Sequence, residues 1–307
     1  MTAQQRSFVE ALLRLRPLFQ SHPHHLTLES PWPILTSGAV LAMLSSAALW
    51  FNGLQYSGTF LILGMLSTLT AMILWWADCV KEGTYLGHHT KVVQQNLAMG
   101  VALFIVTEAA LFVSIFWAYF HSSLAPTVEL GTQWPPAGIT ALSPMAIPLL
   151  NTVLLLSSGA TVTWGHHAFF CRNRSAALQG LMLTVALAII FTALQGVEYN
   201  MAGFTIADGA YGSCFYMATG AHGLHVLVGT LAITVGLARL INYQLTSTHH
   251  IGLEGAILYW HFVDVVWVIL YVTVYWWGAP LSLSKLVPYF YIFPPSRILL
   301  TLLYLTF

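Results

Sequence analysis

Residues 97–119 read LAMGVALFIVTEAALFVSIFWAY, an apolar run whose only charged residue, Glu108, lies near its middle. A helix rises about 1.5 Å per residue, so this run crosses a hydrocarbon layer of roughly 30 Å with Glu108 about halfway down. The neighbours on its helical face, Phe104, Ile105, Leu111 and Phe112, offer nothing that stabilises a charge. Holding a bare carboxylate there costs roughly 2.5–3.5 kcal/mol or more, so the side chain is expected to be neutral or specifically solvated. Lys and Arg are absent at mid-depth, which leaves a histidine, a lipid or another subunit as its partner.

The rest of the chain has the same character. Of 307 residues, 57% are hydrophobic and 7% charged, against about 25% charged in a soluble domain. The reading is an all-α, polytopic membrane protein. Net charge is zero, which gives no footprint for nucleic acid. Cys79, Cys171 and Cys214 are scattered, fit neither a disulfide framework nor a zinc site, and are expected to pack.

Hydropathy gives seven spans, at about 33–51, 58–80, 97–119, 145–169, 176–199, 212–238 and 253–277. The basic residues set their direction. Arg6, Arg14 and Arg16 precede span one, Lys81 and Lys91 follow span two, Arg172 and Arg174 follow span four, and Arg239 follows span six. That places eight of ten on one side; Lys285 and Arg297, in the tail, lie on the other. The bias puts the N-terminus inside, in cytoplasm or mitochondrial matrix, and the C-terminus outside. Trp75, Trp76 and Trp164 at inner ends and Trp50, Trp276 and Trp277 at outer ends fit interfacial belts. Ser157, Ser158 and Gly159 in span four and Gly220, Gly223 and Gly229 in span six are expected to allow close helix packing. The weakly amphipathic piece 11–19 suits the membrane surface.

Three groups of residues offer chemistry. His222 and His225 in span six, and His261 and Asp264 in span seven, are each spaced i, i+3 and are expected to form a polar seam. That seam reads either as a proton relay or metal site, or as interhelical hydrogen bonding that fixes packing. Near the inner end of span two, Trp75, Trp76, Asp78, Lys81, Glu82, His88 and His89 suit phospholipid headgroups, or form an ordinary solvated helix end. Four adjacent histidine pairs, His24–His25, His88–His89, His166–His167 and His249–His250, fall at the inner interface. Adjacent helical residues point about 100° apart, so such a pair chelates one metal poorly and the expectation is no metal. Facing bis-histidine haem ligands and a cysteine–histidine copper pattern are both missing, so no redox centre is expected in this chain.

Several stretches carry a resemblance: LGHHTKVVQQNLAMG at 86–100, the Glu108 span running into FWAYFHSSLAPTVELGTQWPPAGI at 116–139, IPLLNTVLLLSSGATVTWGHH at 147–167, ADGAYGSCFYMATGAHGLHVLVGT at 207–230 and YWHFVDVVWVILYVTVYWWG at 259–278. In unbroken order over about 31–278, these resemble subunit III of cytochrome c oxidase, in its mitochondrial form. The resemblance implies seven helices, the first two splayed from the other five around a lipid-filled cleft. It puts the family's carbodiimide-reactive glutamate on Glu108, and its lipid contacts on Trp75, Glu82, His89 and Arg239. It implies no haem or copper in this chain; haem a and copper belong to partner subunits. The partners implied are the catalytic subunit I, other complex IV subunits and phospholipid. The activity implied is support of electron transfer from cytochrome c to oxygen and of coupled proton pumping, in the mitochondrial inner membrane or alternatively a bacterial plasma membrane.

One departure stands out. Where the family has WWRD, this chain has Trp75-Trp76-Ala77-Asp78, and Lys81 supplies a point charge in place of an arginine fork. The expected layout is an inner-side extension at 1–31, helices one and two with the inner loop at 32–96, a five-helix bundle at 97–278 and an outer-side extension at 279–307. An equivalent subunit of a quinol oxidase, an autonomous transporter with a lone buried acid, and an integral metalloenzyme are the alternatives.

Overall fold

The computed structural model describes residues 22–279, so the segment 11–19, Lys285, Arg297 and most of the 279–307 extension lie outside the described residues. Seven long helices make up almost all of it: α1 (Trp32–Phe51), α2 (Ser57–Thr84), α3 (Lys91–Leu124), α4 (Ile147–Phe170), α5 (Arg174–Met201), α6 (Gly209–Ile241) and α7 (Ile251–Leu270). The chain continues from α7 through a wider π-wound segment, Tyr271–Trp277. Each of the seven is long and apolar enough to cross a membrane, α7 together with its π segment. No strand occurs among the described residues; a single bridge joins Thr246 to His249.

The helix ends follow from local chemistry. Pro33 and Pro148 sit in the first turns of α1 and α4, where the missing N–H is no loss. The Asn173 side chain caps α5 by accepting the Ala176 N–H at 3.2 Å. At the end of α6, Arg174 donates to the carbonyls of Leu240 and Ile241 and stacks on Tyr243 at 3.9 Å.

The chain forms two compact units, Met1–Val101 and Ala102–Phe307, with the boundary inside α3. In the first, α1 packs along α2, and Gly64 admits the Met43 backbone: a Cβ there would stand 2.7 Å from Met43 Cα. In the second, α4 packs along α5, α6 along α7, α5 against α6 and α4 against α7. Lipid tails are as apolar as leucine, so such contacts depend on shape rather than on expelling water. At the tightest crossing, a Cβ on Gly180 would fall 2.6 Å from Gly165 Cα. Gly229 and Gly236 admit Trp260 and Leu253 of α7 in the same way. Of the small residues picked out in the sequence, Gly159 and Gly229 sit at such contacts, while Gly220 and Gly223 have open space around them.

Polar side chains tie the second unit together. The indole N–H of Trp260 donates to Ser158 and that of Trp267 to Thr152, each at 3.0 Å, joining α7 to α4 with both indoles fully buried. Thr161 meets Thr184 at 2.8 Å across α4 and α5, and Tyr199 donates to Thr219 at 2.8 Å across α5 and α6. An aromatic group closes one end of the unit. Trp134 from the 125–146 connection packs on Tyr119 and Tyr211, and Tyr119 donates to the Thr273 carbonyl at 3.1 Å.

Trp75, Trp76, Trp164, Trp50, Trp276 and Trp277 all face outward, as residues of interfacial belts do. Cys79 and Cys214 are half-buried, but Cys171 is exposed in the turn between α4 and α5, so its expected packing role is corrected.

Gly180→Ala should lower stability in mixed-micelle equilibrium unfolding by roughly 1–3 kcal/mol, because the obstacle is backbone and cannot rotate away. Gly220→Ala should be neutral or stabilising by up to about 1 kcal/mol. Equal effects would show that close approach is not what holds α4 on α5.

Candidate functional site

Glu108 finds its partner within the second unit. Its carboxylate Oε2 lies 2.8 Å from Nε2 of His225 on α6. The other ring nitrogen of His225, Nδ1, is 2.7 Å from the Ala221 carbonyl. A carbonyl only accepts, so Nδ1 carries a proton and Nε2 is left to face Glu108. One further proton then serves the pair: it rests on the carboxyl and is donated to Nε2, or rests on Nε2 and is donated to the carboxylate. Both forms are neutral overall, so a membrane interior accepts either at far lower cost than a lone charge. The two forms differ only by the transfer of that proton over one hydrogen bond.

Aromatic rings wall the pair. Phe112 meets the His225 ring edge-on at 4.8 Å, Tyr259 stacks on it at 6.2 Å, and Phe104 stacks on Tyr259. The His225 side chain is 9% exposed while Glu108 keeps 21%, so the acid is the member of the pair that reaches the surface of the unit.

The expected seam of His222, His225, His261 and Asp264 is not a single one. His225 turns to Glu108 on α3. His222 is buried, donates from Nε2 to the Val263 carbonyl at 3.2 Å, and packs between Phe191 and Trp267. His261 and Asp264 turn instead to α4. His261 Nε2 is 3.3 Å from the Thr163 hydroxyl, and Asp264 presses against Gly159, where a Cβ would meet Oδ2 at 2.6 Å. The two are 3.9 Å apart, too far for a hydrogen bond. They line a groove of about 710 Å³ with Gly159, Thr163, Trp164 and His167. The four residues thus meet three different neighbours: His222 turns to α7, His225 to α3, and His261 and Asp264 to α4.

One buried acid lies outside the groups picked out in the sequence. Glu198, at the end of span five, is 2% exposed. It accepts from Tyr275 in the π segment at 2.7 Å and from Gln195 at 3.0 Å, and Gln195 in turn accepts from Asn151 of α4 at 3.2 Å. Hydropathy placed Glu198 at a membrane edge, where an acid is unremarkable. Tyr275 of the π segment and Gln195 cover it from inside the unit.

In the first unit, the residues expected at headgroups gather around the end of α2. Asp78 accepts from Lys81 at 2.8 Å and from the Trp32 indole. His25 stacks on His88 at 4.6 Å and lies 4.0 Å from Glu82. His89 fills the space beside Gly83, and its carbonyl accepts from Gln94 at 2.9 Å. Trp75 and Trp76 are exposed alongside on α2. In the second unit, Arg239 ends α6 and approaches Gly252 at the start of α7.

Comparison with known proteins places this architecture. The family model described as cytochrome c oxidase subunit III matches residues 22–279. A protein of Mycosarcoma maydis named cytochrome c oxidase subunit 3 is 55% identical over 269 residues, covering 86% of this chain and 98% of its own. Its namesake in Podospora anserina is 54% identical over 265 residues, covering 86% and 98%. The one in Struthio camelus is 52% identical over 261 residues, covering 85% and 99%. The chain therefore belongs to the cytochrome c oxidase subunit III family.

Proposed function

We propose that this chain is a non-redox core subunit of complex IV. In this reading it sustains electron transfer from cytochrome c to oxygen, and the coupled proton pumping, through a protonatable site and bound phospholipid. Haem a and copper belong to partner subunits, and the chain packs against subunit I. The observation that carries the reading is the Glu108–His225 hydrogen bond, an intramembrane acid–base pair whose two neutral forms differ by one proton transfer. A site that holds a proton without net charge can buffer proton supply to a neighbouring pump without a large barrier.

Glu108→Gln tests this directly. The amide still donates to Nε2, so packing stays while the mobile proton is lost. The assembled complex should keep its haem and copper content but lose turnover and proton uptake several-fold under sustained load. Unchanged turnover and proton stoichiometry would overturn the reading.

Phospholipid binding is supported in the first unit by Trp75, Trp76, Lys81, Glu82, His88 and His89, where cation, indole and imidazole gather around the end of one helix and suit a phosphate with its acyl chains, and in the second by Arg239. Complexes carrying Lys81→Ala should retain fewer phospholipids by native mass spectrometry. Retention equal to wild type would remove Lys81 from the site.

We further place the chain in the mitochondrial inner membrane with its N-terminus in the matrix, on the strength of the basic-residue bias. Cys171 is exposed beside Arg172 and Arg174, so an impermeant maleimide should label it only from the matrix side. Labelling in intact mitoplasts would invert the topology.

A further inference from the structure

The two rings of an adjacent histidine pair diverge, so one pair alone chelates a metal poorly. The fold solves this by taking one ring from each of two pairs. His166, near the end of α4, and His250, at the start of α7, come together with Glu254 one turn further along α7, and one ligand atom from each lies within 4.8 Å of the others.

The state of these atoms points to a ligand. His250 Nδ1 is 2.9 Å from the Thr246 carbonyl, which accepts, so Nδ1 is protonated and Nε2 presents its lone pair. That is the outer hydrogen bond by which metal-binding histidines are usually oriented. His250 Nε2 is buried without a hydrogen bond: the Glu254 carboxylate is 3.1 Å away but out of line. The His250 side chain is only 2% exposed, so water does not reach it freely. His166 Nε2 is likewise buried without a partner. Phe169 and Phe170 pack edge-on against the His250 ring at 5.0 Å each and hold it in place. Two imidazole nitrogens without hydrogen bonds thus converge with a half-exposed carboxylate.

We propose that His166, His250 and Glu254 form a binding site for a divalent ion of the zinc class, which clamps the end of α4 to the start of α7. Two imidazoles and one carboxylate are a common donor set for zinc, with a fourth position left for water. A tetrahedral zinc site has ligand atoms roughly 3.3 Å apart, so binding draws the three inward. Glu254, 40% exposed, is free to make that adjustment. The site is not redox-active and stands independently of the Glu108 pair.

The test uses the assembled complex in wild-type, His250→Gln and Glu254→Gln forms, stripped with a chelator and dialysed against graded zinc. Wild type should bind one zinc per complex more than either variant, or bind that zinc at least roughly tenfold more tightly. Anomalous scattering at the zinc edge should place the extra ion between α4 and α7. Equal stoichiometry and affinity in all three forms would overturn the proposal. If His250→Gln fails to assemble, Glu254→Gln and the anomalous map of wild type decide alone; a map with no peak among the three residues also overturns it.

Discussion

An acid in a hydrocarbon layer is costly unless a partner stands close at hand, and two acids of the second unit find theirs on other elements. Neither Lys nor Arg stands at mid-depth to fill that role. Glu108 therefore binds a histidine from another helix, and Glu198 collects a tyrosine and a glutamine. Each solution fixes a pair of helices: α3 to α6 in the first case, α5 to the π segment in the second. The polar groups that the membrane penalises are thus the ones that specify which helices are neighbours.

The bonds from α4 to α5 and α7 join backbones that lie close together, and there the glycines and serines are part of the same arrangement. Gly165 and Gly180 let α4 and α5 touch, and the polar ladder Thr161–Thr184 and Asn151–Gln195 runs along that contact. On the other face of α4, Gly159 leaves room for Asp264, and Ser158 and Thr152 receive the indoles of Trp260 and Trp267. Residue size and hydrogen bonding act jointly here: a larger side chain at either glycine would lengthen bonds several residues away.

The seven spans were legible because hydropathy and length are properties of a single helix; with α7 taken together with its π segment, the observed ends fall within four residues of the expected ones except in α3, which begins six residues earlier and ends five later. Glu108 was legible as an acid in need of a partner because nothing else in its span is charged. Its partner was not, because an i, i+3 pattern assigns His225 to a face of α6 but says nothing of which helix lies opposite. The division of the expected seam, the inward Glu198 and the meeting of His166 with His250 have the same origin: each depends on which faces meet, and that information is not local. Trp260 and Trp267 were passed over because a mid-span indole reads as bulk, while its N–H acquires meaning only opposite Ser158 or Thr152.

The π-wound end of α7 carries a consequence for how this segment can vary. A turn closed from i to i+5 holds more residues than an α turn, so every side chain after it is rotated from the phase that α7 would have given it. Tyr275 points to Glu198 and Trp276 and Trp277 point outward because of that offset. The segment thus holds about one residue more than an α winding of the same rotation needs. Shortening it by one would let the coil close as α turns with the phenol and indoles close to their present directions, whereas winding all seven residues as α would turn the phenol from its acid.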